Sequence, residues 1–267
     1  MNNLEKRMLE ILKLGKAELG YVGVKAEFEA EGTRTDELLR LLEVARKAEL
    51  NVGIKIGGCE AVRDLIECKQ FGCEYIIAPM VETPYALSKF IDAKDKIYTT
   101  EEQKGMSFLF NIETRVAFDN KEEMLKVAKG HASGVDGVVF GRVDYVMSMG
   151  VGRERINTPE ISKDVIDIAQ LCSSNGLELV AGGGVSIDAV DELTKIKEVY
   201  LNRFETRKII FDANCLGVVD TNKALINAVE FELLWLQNKR EYYSVLFQED
   251  DNRIEMLESR WKTLIAN

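Results

Sequence analysis

Residues 107–144 read SFLFNIETRVAFDNKEEMLKVAKGHASGVDGVVFGRVD, and this stretch decides the fold. Two short apolar runs, Ser107–Ile112 and Gly137–Phe140, flank a segment of helical period at residues 120–129. A strand, a helix and a second strand in this order are typical of a parallel βαβ unit. Similar strand-like runs occur outward along the chain at Val22–Glu27, Val52–Ile56, Tyr75–Met80, weakly near Lys96–Thr99, Leu177–Ala181 and Val199–Asn202.

The segments between these runs have helical period and begin or end at Gly, Pro, Asp or Asn. Thr35 is expected to cap a helix through Glu49 that buries Leu38, Leu41, Leu42 and Ala45. The other predicted helices cover residues 60–70, 83–94, 159–174 and 187–195. Eight strands with interleaved helices in 267 residues favour an α/β fold of the closed (β/α)₈ (TIM) barrel type over an open sheet.

The barrel, with an N-terminal helix, is predicted to span residues 1–218, and a helical extension covers 219–267. From Asp220 to Ala266 the chain predicts one or two long helices with an apolar stripe. This tail either packs on its own barrel as part of the same domain or serves as an oligomerisation arm. We expect a homo-oligomer formed through these C-terminal helices.

Composition excludes several classes of partner. The formal net charge is −10, with 35 basic and 45 acidic residues, which argues against nucleic acid. No window approaches the length of apolar residues that a membrane span needs, and the charged N-terminal helix does not resemble a signal peptide. The five cysteines are scattered and predict reduced thiols. We therefore expect a cytoplasmic protein without a membrane partner.

Two acidic residues follow the apolar runs of the opening stretch. Glu113 and Asp144 follow the carboxyl ends of neighbouring predicted strands, and the carboxyl ends of barrel strands build the active site. Two carboxylates without a His or Cys cluster suit Mg²⁺ or Mn²⁺, with positions left for water and substrate. The alternative is that they form ordinary ion pairs with Arg115 and Arg142.

The segments NIETRVAFDN and GVDGVVFGRVDYVMSMG resemble the paired metal-site motifs of the HpcH/HpaI aldolase and citrate lyase family. CEYIIAPMVETPYAL and GIKIGGCEAVRDL resemble the family's third strand and its second strand and helix, so that the likeness extends over about residues 20–215. The resemblance implies a metal-dependent barrel that makes or breaks carbon–carbon bonds through enolates. It also implies that Glu113 and Asp144 are the metal ligands.

The sequence departs from the family pattern at two places. Where the aldolases have Asp-x-Glu-His on the first strand, this chain has Glu27-Phe28-Glu29-Ala30, and its single histidine, His131, is predicted to lie at the surface at the opposite end of the barrel. Where the family has an arginine after the second strand, this chain has Lys55. The resemblance thus implies the metal half of the mechanism, while the acid/base residue has to be found elsewhere.

Several cations and acids are candidates for that role. Lys25, Glu27 and Glu29 recur at every second position of the first strand and point to one side, for which the barrel interior is one of two possibilities. There they would form either a structural Lys–Glu network or a set of proton donors and acceptors. Burial is expected to lower the pKa of Lys25 or Lys55. Lys55 and Arg142 are the candidates for pairing with the substrate carboxylate, and Gly141 is expected to contact the substrate beside them.

A glycine-rich turn follows the seventh predicted strand. Gly183 and Gly184 expose backbone N–H groups that could hold a phosphate or carboxylate, although such glycines can also reflect tight packing. Arg203 after the eighth predicted strand, with Arg207, could complete an anion pocket or pair with Glu205. If both features act together, the substrate is a phosphorylated compound or a sugar acid.

These residues predict a lyase that acts through the enolate of pyruvate or a related 2-oxo acid, in an aldol cleavage or condensation. A second hypothesis is an acyl-thioester lyase of the citrate or malyl-CoA type, although no basic patch for a nucleotide carrier is evident. A third is a barrel without catalysis that binds a metabolite, which the missing histidine suggests.

Overall fold

The computed structural model describes residues 1–130 and 133–265 and forms a closed eight-stranded barrel. The strands are β1 (Tyr21–Glu27), β2 (Asn51–Lys55), β3 (Tyr75–Ala78), β4 (Ser107–Ile112), β5 (Gly137–Gly141), β6 (Glu178–Gly182), β7 (Arg203–Glu205) and β8 (Ile209–Asp212). Strands β1 to β7 run parallel to one another, each pairing with the next, and β8 is antiparallel to both β7 and β1. The predicted barrel is confirmed, with seven parallel strands closed by one antiparallel strand.

Two predicted strands are wrong. Residues 96 and 97 belong to a helix that ends at Ile97, and Thr99 caps the short helix after it, so no strand forms at Lys96–Thr99. Val199 ends another helix, and the strand expected at Val199–Asn202 begins only at Arg203. The closing strand β8, which follows β7 after a three-residue turn, was not predicted.

The helices cover the outside of the barrel. They are α1 (Asn3–Glu18), α2 (Thr35–Lys47), α3 (Val62–Phe71), α4 (Pro84–Ile97), α5 (Thr100–Gln103), α6 (Arg115–Asp119), α7 (Lys121–Gly130), α8 (Arg142–Ser148), α9 (Pro159–Asn175), α10 (Val190–Val199) and α11 (Thr221–Ile265). Thr35 is the first residue of α2 and not its cap, since Arg34 holds the extended cap conformation. The apolar face predicted for this helix is buried as expected.

The barrel interior is divided between apolar and charged side chains. Ile77, Leu109, Val139 and Val180, one from each of the strands β3 to β6, form a small apolar cluster of their own. The opposite side of the barrel contributes buried charged residues, among them Lys25 from β1, Lys55 from β2 and Glu205 from β7. Buried charges are costly unless they are paired or functional, so this half of the interior is where a site is expected.

The long helix α11 packs on the barrel with its first half only. Ala224, Ala228, Phe231 and Trp235 are buried, mostly against α1, and the hydroxyl of Tyr21 donates to the carbonyl oxygen of Ala224 at 2.6 Å. From residue 244 to residue 265 every side chain is exposed. The helix thus extends past the surface of its own barrel.

The remaining sequence predictions concern the cysteines, membrane-spanning helices and His131. The five cysteines are free, and within the described ranges no helix is long and apolar enough to cross a membrane. His131, which the sequence predicts at the surface, lies outside the described residues.

Candidate active site

A cavity of about 280 Å³ opens at the carboxyl ends of the parallel strands. Its charged and polar lining residues are Lys25, Glu27, Glu29, Lys55, Asn111, Glu113, Asp144, Arg153, Glu205, Thr206 and Arg207. Ile77 and Val139 of the apolar cluster also line it, and Gly141, Gly182, Gly183 and Gly184 complete the wall. Barrel enzymes place their chemistry at this end, so the cavity is the candidate active site.

Glu113 is the most enclosed acid of the cavity and is 1% exposed. It directly follows β4, and its Oε1 accepts the backbone N–H of Met80 at 2.8 Å. Its Oε2 accepts the side-chain amide of Asn111 at 2.7 Å. Met80 has a φ of 49°, a strained conformation for a non-glycine residue that directs its N–H at this carboxylate. Several elements therefore hold the Glu113 carboxyl group in one position.

Gly141, the last residue of β5, leaves the space that Glu113 occupies. A Cβ at this position would lie 2.7 Å from the Glu113 Cβ and 2.9 Å from its Oε2. The Cβ of Glu113 is fixed by the backbone at the end of β4, so rotation of the side chain cannot relieve this contact. The glycine after the apolar run is thus required by the neighbouring carboxylate.

Replacing Gly141 by Ala is expected to displace Glu113 and to lower the free energy of unfolding by about 2 kcal/mol through overpacking. Gly182→Ala is the matched control, because a Cβ there would come no closer than 3.3 Å to Glu205 Oε1 and 3.4 Å to Glu205 Cγ. Chemical denaturation of both variants measures the difference. Equal stability of the two variants would contradict the contact described for Gly141.

Asp144 differs from Glu113 in its surroundings. It lies in the first turn of α8, is exposed, and lines the cavity without a hydrogen bond or ion pair to any residue of the described ranges. Its predicted ion-pair partner, Arg142, does not contact it. A carboxylate at the rim of a cavity with free lone pairs is a suitable ligand for a cation.

The two acids together fit a hard divalent cation. Mg²⁺ commonly keeps several waters and takes one or two protein carboxylates, which is what Glu113 and Asp144 offer. Asn111, 3% exposed, adds a side-chain oxygen with no hydrogen-bond partner in the structure. Residues 1–130 and 133–265 contain no group of three or more His, Cys, Asp or Glu side chains suited to a metal. Any metal here would rely on water and substrate for its remaining ligands.

Lys55 ends β2 and reaches the same carboxylate. Its Nζ lies 3.4 Å from Glu113 Oε2 and 3.2 Å from Glu29 Oε2. Burial alone would lower its pKa, but the charges of Glu113 and Glu29 outweigh burial and raise the pKa above its ordinary value. The side chain is therefore a cation at neutral pH.

Lys25 on β1 forms a second, deeper ion pair. Its Nζ is 2.5 Å from Glu205 Oε1 and 3.5 Å from Glu27 Oε1, and all three side chains are less than 10% exposed. Burial opposes the charge, yet Glu205 and then Glu27 raise the pKa of Lys25 above its ordinary value. The expectation of a lowered lysine pKa is thus wrong for both lysines, because each is surrounded by carboxylates.

Arg142 is buried and does not line the cavity. Its Nε donates to the carbonyl oxygen of Gly182 at 3.3 Å and its Nη1 to Asn157 Oδ1 at 3.1 Å, while Nη2 has no hydrogen-bond partner in the part of the chain that the structure describes. Burial lowers the pKa of this guanidinium to about 10. The structure thus does not bring Arg142 to the position where it would meet a substrate carboxylate.

Arg203 also lies away from the cavity. It begins β7, where its Nη2 pairs with Glu178 at 2.5 Å and its guanidinium carbon lies 4.4 Å from the centre of the Tyr75 ring. Glu178 and Tyr75 begin β6 and β3, so this cluster lies at the amino ends of the strands. The predicted anion pocket therefore does not include Arg203.

The glycine-rich turn does line the cavity. Gly183 and Gly184 have φ values of +75° and +63°, and a Cβ on Gly183 would lie 2.7 Å from the backbone nitrogen of Val143. Close packing against the start of α8 accounts for that glycine. Arg207 stands nearby, but it already pairs with Glu31 at 3.0 Å and with Glu27 at 3.6 Å.

Sequence reasoning missed Asn111 as a site residue. A period of two along β4 places residues 111 and 113 on the same side, so the carboxylate at 113 could have indicated its neighbour. Glu205 was expected to pair with Arg203 or Arg207, whereas its partner is Lys25. That contact joins residues 180 positions apart, so no pattern of neighbouring residues could predict it.

The fold and the cavity define an α/β barrel with an acidic site at the carboxyl ends of its strands. A family model described as HpcH/HpaI aldolase/citrate lyase matches residues 32–201. The chain belongs to this family and is a lyase of the aldolase and citrate lyase type. The family is generally dependent on a divalent metal. Among curated proteins none matches this chain.

Solved structures agree on the fold. An HpcH/HpaI aldolase from Desulfitobacterium hafniense superposes with a TM-score of 0.58 at 15% identity, covering 75% of this chain and 82% of the other. A family protein from Burkholderia cenocepacia gives 0.56 at 14% identity, with 77% and 93% covered. A variant of the citrate synthase SbnG gives 0.56 at 15% identity, with 74% and 81% covered.

Proposed function

We propose that the protein is a metal-dependent carbon–carbon lyase that acts through the enolate of pyruvate or a related 2-oxo acid. One observation carries the proposal. Glu113 is buried at the cavity and held by Met80, Asn111 and Lys55, while Asp144, after the neighbouring strand, is exposed at the rim and has no partner among the described residues. Asp144 in particular makes no contact within residues 1–130 and 133–265 that would give it a structural role.

Glu113 and Asp144 would hold Mg²⁺ or Mn²⁺. When bound, such an ion supplies a positive charge that stabilises the negative oxygen of an enolate. The unpartnered Oδ1 of Asn111 is available to accept a hydrogen bond from a water or a substrate in the same cavity. This chain's own residues then have to bind the acid, exclude water and move a proton.

Lys55 is the proposed anchor for the substrate carboxylate. Its charge is maintained by Glu29 and Glu113, and its Nζ lies between these two acids in the cavity wall. A lysine with a raised pKa is a poor base at neutral pH but a good partner for an anion. The role of Lys55 is therefore binding and not proton transfer.

Glu29 is the proposed proton carrier. It follows β1 at the cavity, and its side chain is 27% exposed, whereas Glu27 is 9% exposed and lies near both Lys25 and Arg207. A carboxylate at the mouth can exchange its proton with solvent between turnovers. It would take the proton from the carbon next to the oxo group and return it in the reverse direction.

The phosphorylated or sugar-acid substrate expected from the glycine-rich turn is not part of the proposal. Arg203 lies at the other end of the barrel, so the predicted pocket of Arg203 with Arg207 does not form beside the glycine-rich turn. Among the described residues that line the cavity there is no cluster of unpaired basic side chains for the nucleotide of an acyl-CoA, so the thioester hypothesis ranks second. A barrel without catalysis does not account for the two acids.

The proposal is tested by incubating the protein with Mg²⁺ and pyruvate in D₂O and following the methyl protons by NMR. Exchange is expected for the wild type and for Asp167→Asn, a control that removes only a surface acid paired with Lys121. Glu29→Gln should bind metal normally in calorimetry yet lose exchange. Absence of both exchange and metal binding in the wild type would refute the proposal.

A further inference from the structure

The outer face of α11 has a regular apolar pattern that neither the barrel nor the proposed reaction uses. Its members recur at alternating intervals of three and four residues over 39 positions. We call this set the outer stripe: Ile226, Val229, Leu233, Leu236, Arg240, Tyr243, Phe247, Asp250, Ile254, Leu257, Trp261 and Leu264. An unbroken 3–4 spacing is the pattern of a coiled-coil seam.

Apart from Tyr243, whose hydroxyl donates to Glu37 Oε1 of α2 and whose ring centre lies 5.9 Å from the guanidinium carbon of Arg34, the outer stripe is not part of the packing of α11 on its own barrel. In the first half of the helix the barrel-facing residues are Ala224, Ala228, Phe231 and Trp235, which lie on a different face. Between Ile226 and Leu236 the stripe residues are at least 53% exposed, and Trp261 and Leu264 near the end are 61% and 65% exposed. An exposed apolar seam of this length indicates a missing partner.

Two members of the outer stripe are charged, and their positions are informative. Arg240 and Asp250 have opposite signs and lie five residues to either side of position 245. Every other member also has a counterpart at the same distance on the other side of position 245. The pairs are 226 with 264, 229 with 261, 233 with 257, 236 with 254, and 243 with 247.

We propose that α11 pairs with α11 of a second copy of this chain in an antiparallel coiled coil centred on position 245. In this register every apolar stripe residue meets an apolar or aromatic stripe residue of the other copy. Arg240 of each copy meets Asp250 of the other, so both charges in the seam are paired. The exposed far half of each helix thereby covers the outer face of the near half of its partner.

A parallel pair does not satisfy the same residues. It would place Arg240 against Arg240 and Asp250 against Asp250, and like charges in a seam oppose association. A lipid surface is also a poorer match, because acidic and basic residues are nearly balanced from residue 239 to residue 265 and no basic face accompanies the apolar one. The reversal of sign about position 245 specifically favours an antiparallel second copy.

A charge-exchange experiment on the full-length protein tests the register. Arg240→Asp alone and Asp250→Arg alone should each weaken the dimer by about tenfold or more, measured by sedimentation equilibrium, because each places two like-charged pairs in the seam. The double variant R240D/D250R should recover wild-type association. Both positions are exposed, so circular dichroism should show the same helix content in all four proteins.

Cysteine cross-linking gives an independent readout. The double variant L236C/I254C should form a disulfide-linked dimer under mild oxidation, and the matched single variant L236C should not. A wild type that stays monomeric at about 100 µM, or a double charge variant weaker than either single variant, would overturn the proposal. Cross-linking of L236C alone would indicate a parallel pair and would also overturn the proposal. An unchanged dimer in every charge variant would overturn it as well.

Discussion

Asp144→Asn is expected to abolish pyruvate proton exchange, with a rate at least about 1,000-fold below that of the wild type, while the protein stays fully folded. The side chain is exposed and makes no hydrogen bond or ion pair within the described ranges, so neutralising it costs the fold nothing. It would, however, remove one of two anionic ligands, and we expect metal affinity to fall by about 100-fold or more. Calorimetry with Mg²⁺ and NMR exchange in D₂O measure the two effects.

Glu113→Gln should give the same loss of exchange but a different effect on stability. The buried carboxylate accepts hydrogen bonds from the Met80 N–H and the Asn111 side chain, and it faces the Lys55 ammonium group. The amide nitrogen of glutamine is a donor, so it would face one or two of these donors without a hydrogen bond. The free energy of unfolding should fall by about 2 kcal/mol. Comparison with D144N therefore separates the ligand role from the packing role. If D144N binds Mg²⁺ and exchanges pyruvate at the wild-type rate, the two-carboxylate site is refuted.

Sequence reasoning could place Glu113 and Asp144 because each follows a buried run of ordinary strand length. The end of such a strand is a local property, and all parallel strands of a barrel end on the same side. The same logic failed for Arg203. The last predicted strand, Val199–Asn202, lay only a few residues too early, and that small shift moved Arg203 from the start of a strand to its end.

Neither the closing strand β8 nor the direction of the lysine pKa shifts could be predicted from the neighbouring residues in the sequence. Strand β8 has four residues and reverses direction after a short turn, and such a segment has too little periodicity to be recognised. The pKa of Lys25 depends on Glu205, which is distant in the chain and adjacent only after the barrel closes. Burial was foreseeable from the sequence, but the sign of the pKa shift depended on these partners.

Lys25→Met is expected to lower the free energy of unfolding by about 3–5 kcal/mol, because it leaves Glu205 buried without its partner. The double variant K25M/E205L should recover most of that stability, since an apolar pair can replace a buried ion pair at little cost. Chemical denaturation of the wild type and both variants measures the two differences. Arg203→Met provides a comparison, because its pair with the partly exposed Glu178 should be worth much less.

The same double variant decides whether Lys25 takes part in the reaction. The pKa of Lys25 lies above its ordinary value of 10.5, so the lysine stays charged at neutral pH and its pair with Glu205 is structural. We therefore expect K25M/E205L to exchange pyruvate protons within about tenfold of the wild-type rate. A stable double variant without exchange would instead make Lys25 a proton carrier.

The Lys25–Glu205 pair also predicts how stability depends on pH. Its contribution to the free energy of unfolding is fully present below pH 10.5 and is lost as the pH rises through the folded-state pKa of Lys25. At high pH the wild type should therefore lose stability that the double variant does not lose.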